Sequence, residues 1–384
     1  MSRAAPASAA FIATIVGFGG TVALVVAAAA AVGATQSQIA SSIAAVCFVK
    51  AIAAAWLSWR HRIPLITAWA TAGAALIAST TGLSFDVAVG AYLVASAAIV
   101  ATAFVKPLGD LVARIPTSIA AAMLAGVVLP FVAQVFVQAG GAPALVLPLV
   151  VMFLVVRLFN PHMAVVAVLA AGTAIAYALG LAAPISGELG LTHFEFVTPR
   201  FEMGAIIGLG LPLYLVTMAS QNLAGFAVLK AAGYPTPTRD SLAATGLASF
   251  VGAFAGAIPL GLAAITASIC AGPEAHPDKD KRWISGIWYA GYYLILAAFA
   301  GACVAILAAL PKALIATFAG LGLVGALQGA LTGALKDEAE RFPAVLTLAV
   351  TASGVSLFGI GSAFWGLAAG IAALAAQNLK RAGK

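Results

Sequence analysis

The sequence predicts an all-α polytopic membrane protein. It has about fourteen transmembrane segments in a 7+7 inverted repeat, with segments 3 and 10 broken into a short strand plus a half-helix. Three observations carry this. First, 63% of the 384 residues are hydrophobic and 8% are charged, a balance that soluble domains do not show. Second, Lys and Arg fall almost wholly on one side of an even segment count. Third, Ile-Pro-Leu opens two apolar stretches, at Ile63 and Ile258, whose prolines and glycines forbid a single continuous helix.

A span takes about 20 apolar residues. Segment one, 9–33, is too long for a signal peptide and lacks a convincing cleavage site. Two, 37–58, carries Lys50. Three, 64–82, is broken between Pro64 and Gly73. Four runs 87–105. Five, 115–137, opens with Ile115-Pro116. Six, 144–158, is short and is expected to tilt or pack inside the protein, and seven runs 161–182. The polar loop 183–202, with Glu188, Glu195 and Glu202, follows. Eight runs 203–229 and nine 240–257. Ten, 258–275, is interrupted by Pro259, Gly261, Gly272 and Pro273. Eleven runs 283–310, twelve 312–334, thirteen 342–359 and fourteen 361–378.

With the N-terminus inside, sixteen of the nineteen Lys and Arg residues lie on the inner side, from Arg3 through Lys106, Arg114 and Arg341 to Lys380, Arg381 and Lys384. Only Arg200 and Lys312 lie outside, and Lys50 sits within segment two. The positive-inside rule therefore places both termini in the cytoplasm and the loop 183–202 outside. That loop divides the chain into halves 1–182 and 203–384. Seven segments per half make the repeat inverted. Three echoes support it: Ile15-Val16-Gly17-Phe18-Gly19 with Ile206-Ile207-Gly208-Leu209-Gly210; Ile63-Pro64-Leu65 with Ile258-Pro259-Leu260; and Ile115-Pro116 plus Met123 with Leu310-Pro311 plus Phe318. Two broken segments at matching places in two halves mark a transporter's binding site.

The strings Ser220-Gln221-Asn222-Leu223, Gly272-Pro273-Glu274-Ala275-His276-Pro277 and Thr67-Ala68-Trp69-Ala70-Thr71-Ala72-Gly73 resemble the BenE family of benzoate/proton symporters. The resemblance spans the chain length and all fourteen segments. It implies the fold of uracil permeases and SulP anion transporters. In that fold a core domain (segments 1–4 and 8–11) moves against a gate domain (5–7 and 12–14), often within a homodimer. It also implies uptake of an aromatic carboxylate with protons across the inner membrane. The chain departs from the family at Ala70 and Ala72, where Ser and Pro are usual, at Ala224, where Pro is, and at Gly261, where Asn is.

The half-helices starting near Trp69 and Ile265 are expected to point their N-termini at each other in mid-membrane. Their unpaired N–H groups could hold a carboxylate near Thr71 and Thr266. Trp69 and Phe18 could flank an aromatic ring. Local bonding for the threonines, and packing for the two aromatics, are the alternatives. Of the adjacent amides Gln221 and Asn222, one is expected to face the substrate and the other to tie the broken segments together, or both to bond helices. Tyr214, seven residues before Gln221, is expected on the same face. Glycines 17, 19, 20, 208 and 210 are expected to bring segments one and eight close to the broken elements.

Glu274, His276 and Lys50 are the proton-coupling candidates. Against this, a Glu–His pair at a helix end is often structural, and Lys50 could snorkel. His61, His162 and His193 are expected to be solvated. Cys47, Cys270 and Cys303 form no metal or redox motif, and no cofactor or metal is expected. The basic residues are too dispersed for nucleic acid. No nucleophile–base pair suggests an enzyme, and no charged ring suggests a channel. An inorganic anion or a nucleobase-like ring is the alternative substrate.

Overall fold

The computed structural model describes residues 5–105, 116–161, 163–185, 190–358 and 360–382, without the side chains of 380–382. The expectations for Arg3, Lys106, Arg114, Ile115, His162, Glu188 and Lys384, and for the side chains of Lys380 and Arg381, fall outside that description.

The chain is mostly helical. The first half contains α1 (Ala5–Ala31), α2 (Gln36–His61), β1 (Thr67–Trp69), α3 (Thr71–Ala78), α4 (Phe85–Phe104), α5 (Thr117–Gly141), α6 (Pro143–Phe159) and α7 (Ala164–Ala178). The second contains α8 (Met203–Ala231), α9 (Thr238–Ala253), β2 (Leu260–Leu262), α10 (Ile265–Ala271), α11 (Ile284–Ala298), α12 (Ala300–Ala309), α13 (Lys312–Ala334), α14 (Arg341–Ala352) and α15 (Ser362–Ala382). Among the described residues seven helices (α1, α2, α4, α5, α8, α13 and α15) are long and apolar enough to cross a membrane. The pair α11–α12 makes an eighth if counted as one span. Read in the sequence as the one segment 283–310, it bends by 63° at Phe299.

Local chemistry sets the ends that matter. Thr35 starts α2 with a capping box: its hydroxyl accepts from the Gln38 amide at 3.2 Å, and Gln38 Oε1 accepts from the Thr35 amide at 3.0 Å. Arg62 ends α2 in the left-handed region, with φ 56°. Ile63 then precedes Pro64, which disfavours helix, and the chain enters β1. Pro116 and Pro311 are the N-caps of α5 and α13, with nearly equal backbone angles (φ −56°, ψ 130° and φ −57°, ψ 140°). Met123 and Phe318, seven residues on, are both buried. The echoed pentapeptides Ile15–Gly19 and Ile206–Gly210 both form π-helical turns.

β1 and β2 form an antiparallel ribbon in which Thr67, Ala68 and Trp69 face Leu262, Gly261 and Leu260. Each strand leads directly into a short helix, as the prolines and glycines predict. Extended backbone deep in a membrane protein survives only if its polar groups are met inside the protein, and here side chains meet them. The Leu260 amide donates to Ser249 Oγ at 2.7 Å, and the Leu262 amide to Asn222 Oδ1 at 3.1 Å. The Thr67 carbonyl accepts from the Tyr289 hydroxyl at 3.0 Å. Around the ribbon, α2 packs on α9 and α11, α9 on α4, and α1 on α11. A second group consists of α5, α13, α14 and α15 packed on one another.

Candidate functional site

Between the ribbon and the pair α5–α13 lies a cavity of about 960 Å³. Its wall includes Trp69, Thr71 and Ala72 from the first broken element and Ala264, Ile265 and Thr266 from the second. Trp69, Met123 and Leu323 in the wall are buried. Exposed Thr117, Leu223, Ile265, Gly325 and Gly329 form the mouth. The mouth lies where α8 runs toward Lys230 and α13 toward Lys336. The wall is mostly apolar, with a few convergent polar groups, as small-molecule sites are.

Thr71, Trp69, Gln221, Ile265 and Thr266 all stand in this wall, as does Lys50. Trp69 is fixed by its indole N–H, which donates to Thr21 Oγ1 at 2.8 Å. Phe18 lies edge-on to Trp69, with ring centroids 6.0 Å apart, and is outside the cavity wall. The two amides divide: Gln221 borders the cavity, while Asn222 is fully buried and holds the Leu262 amide. Tyr214 departs from expectation. Its hydroxyl pairs with Thr102 of α4 at 2.5 Å, away from the wall. Gln221 itself lies in the π-helical turn Met218–Asn222, so seven residues no longer return to one face.

Of the five glycines, Gly17 lies against the second broken element. A Cβ there would stand 3.0 Å from both Thr266 Cγ2 and Tyr293 Oη. Gly210 lies instead against Ala91 of α4, and Gly19 faces Val166 of α7.

Lys50 does not snorkel. It is 1% exposed. By helix rise its Cα lies roughly 16 Å from the His61 end of α2 and roughly 21 Å from the Gln36 end. Its Nζ sits 3.7 Å from the ring centroid of Tyr293, 4.5 Å from Trp69 and 5.2 Å from Tyr289. Ring faces attract a cation. Two hydroxyls nearby, Thr266 Oγ1 and Tyr293 Oη, are buried, and the Tyr289 hydroxyl is the polar group beside both.

Glu274 and His276 lie in the loop after α10, outside the cavity wall. Glu274 is exposed, and His276 Nδ1 accepts from the Asp278 amide at 3.0 Å. In the same loop the Asp280 amide, followed by Lys281, holds the Asp278 carboxyl below the usual carboxylate range. His61 was expected to be solvated. Its Nε2 stands 3.1 Å from Asp240 Oδ2. His193 is exposed. The three cysteines are free.

Sequence reasoning missed Thr21, Tyr289 and Tyr293. The spacing Tyr289–Tyr293, one helical turn, was the available signal. In an apolar helix that spacing reads as packing.

A family model described as "BenE: Benzoate membrane transport protein" matches residues 2–376. Among similar proteins, "Inner membrane protein YdcO" of Escherichia coli (strain K12) is 39% identical over 96% of this chain and 95% of its own. "Benzoate membrane transport protein" of Acinetobacter baylyi (strain ATCC 33305 / BD413 / ADP1) is 35% identical over 94% of this chain and 92% of its own. Among solved structures, SLC26A9 superposes with a TM-score of 0.68 at 14% identity over 97% of this chain, which spans 65% of that one. The transmembrane domain of the cyanobacterial bicarbonate transporter BicA superposes with a TM-score of 0.62 at 15% identity, covering 96% and 97% of the two chains. These two likenesses concern the fold.

Proposed function

The chain belongs to the BenE family, which makes it a multi-pass membrane transporter and not an enzyme. On that premise we propose that it is a secondary active transporter taking up benzoate, or a similar aromatic carboxylate, with protons across the inner membrane. The observation that carries the reading is the cavity at the adjoining starts of α3 and α10, of about 960 Å³ and walled mostly by apolar side chains. An aromatic ring suits that wall beside Trp69, and the carboxylate suits the hydroxyls and amide N–H groups at its polar patch. The name of the Acinetobacter relative supports benzoate, and that of the Escherichia relative supports the inner membrane.

In this reading the fourteen segments form two inverted sevens, with both termini cytoplasmic. The core group around the ribbon carries the substrate past the gate group of α5, α6, α7, α13, α14 and α15, in a monomer or a homodimer. The paired π-turns and paired proline N-caps in the two halves support the inversion. Ala72 in the wall, and Ala70 and Gly261 beside it, are smaller than the usual family residues. They favour keeping one second reading, an inorganic anion or a nucleobase-like ring.

The test is uptake of radiolabelled benzoate into proteoliposomes with and without an inward proton gradient. Gradient-driven accumulation is the expected result. Folded protein that takes up nucleobases or inorganic anions and no aromatic acid would replace the substrate.

A further inference from the structure

We propose that Lys50 is the countercharge that binds the substrate carboxylate and the seat of the proton carried with it. This rests on the reading of the cavity as an aromatic-acid site.

An ammonium buried at this depth loses its hydration, and a paired anion is what offsets that loss. The three ring faces around Nζ recover only part of it. The groups facing Lys50 are Cys47 one turn back on α2 and Tyr289 and Tyr293 on α11, with Cys270 on α10 and Cys303 on α12 behind them. None is a carboxylate. The ion-paired carboxylates among the described residues, Asp86, Glu202, Asp240, Asp278 and Glu338, stand at helix ends or loops with other partners. The charge is therefore left for a ligand.

The neighbouring hydroxyls say what kind. Thr266 Oγ1 and Tyr293 Oη are buried beside the Tyr289 hydroxyl, whose own proton goes to the Thr67 carbonyl; Thr266 stands in the cavity wall, and Tyr293 reaches Gly17 of that wall. With Lys50, the one cation in the wall among the described residues, Thr266 offers a second donor to the cavity. A carboxylate, which only accepts, completes such a set. Trp69 beside them supplies apolar surface for the ring the carboxylate is attached to.

The same geometry moves a proton. From the outer solution the empty site takes up one proton, converting the Lys50 amine to ammonium. The carboxylate then binds the ammonium. Once the cavity faces the cytoplasm, the carboxylate leaves and the ammonium returns its proton to inner water. One anion and one proton cross, and no net charge moves.

The experiment compares wild type, Lys50→Met and Lys50→Arg, purified and in proteoliposomes. Benzoate-induced thermal stabilisation reports binding. Counterflow reports exchange, and uptake under a pH gradient reports coupling. Benzoate should stabilise the wild type. Lys50→Met should unfold near the wild-type temperature and bind benzoate about a hundredfold more weakly. Lys50→Arg, permanently charged, should still bind and exchange, at reduced affinity, but not accumulate benzoate under a pH gradient.

Wild-type uptake, which needs no variant to fold, should follow the pH gradient and ignore an imposed potassium diffusion potential. Lys50→Met binding as well as wild type, Lys50→Arg accumulating as wild type does, or uptake driven by the potential would each overturn the proposal. A wild type that benzoate and other aromatic acids leave unstabilised would overturn the aromatic-acid reading and this proposal with it. A responsive wild type with an equally responsive Lys50→Met would overturn the Lys50 role alone.

Discussion

Asn222 and Thr266 are both buried polar residues beside the cavity, and they should respond oppositely to deletion. Asn222 Oδ1 holds the Leu262 amide, so Asn222→Ala leaves a buried N–H unpaired, at a cost of about 1–3 kcal/mol. Its unfolding temperature should fall whether or not benzoate is present. Thr266 Oγ1 holds no backbone group and has only the Tyr289 hydroxyl beside it, so Thr266→Val should unfold near the wild-type temperature. Its benzoate affinity should drop on the order of tenfold, read as a loss of ligand-induced stabilisation. Equal affinity in Thr266→Val would place the carboxylate elsewhere. These two residues were legible in sequence because polar groups inside an apolar run must find partners. Tyr293 was not, since an aromatic residue in an apolar helix reads as core whether or not its hydroxyl is aimed at a ligand. Tyr214 was misplaced by a single extra residue in a turn, which no local composition announces.

At the scale of elements, the broken segments were the most readable feature, because Pro and Gly act on the backbone itself. The pairing of the two strands was not readable. It depends on Gly261, where an added Cβ would stand 2.7 Å from Gln221 Cβ, closer than side-chain atoms approach. Gly261→Ala should push β2 away from α8, costing about 1–3 kcal/mol, and should displace Gln221 from the wall. Thermal unfolding and benzoate affinity should both fall. An unchanged affinity would mean that Gln221 is not part of the site. The bend at Phe299 had no sequence signal, as neither Pro nor Gly marks it, although Gly301 follows two residues later.

For the whole molecule, the charge distribution and the cavity mouth give one joint expectation. The mouth lies near the ends of α8 and α13 that lead into Lys230 and Lys336, the side to which the basic loops assign the cytoplasm. Ala326→Cys, exposed in the cavity wall, should react with a membrane-impermeant thiol reagent in inside-out vesicles and be slower in right-side-out ones. A wild-type control accounts for half-buried Cys303. Benzoate should protect the new thiol. Labelling only from the outside would reverse the topology. The positions of the helices were legible from hydropathy. Which helices surround the cavity was not, because neighbours in a bundle are chosen by shape, and apolar faces look alike in sequence.

The ribbon also constrains how the protein is made. Thr67 pairs with Leu262, nearly two hundred residues later in synthesis. At about 5–20 residues per second, β1 leaves the ribosome roughly 10 to 40 s before its partner exists. Its backbone cannot rest in lipid unpaired during that interval. The first half must therefore hold Ile63–Ala78 at the water interface, or in the insertion machinery, until the second half arrives. The candidate site can therefore close only after the second half has begun to enter the membrane.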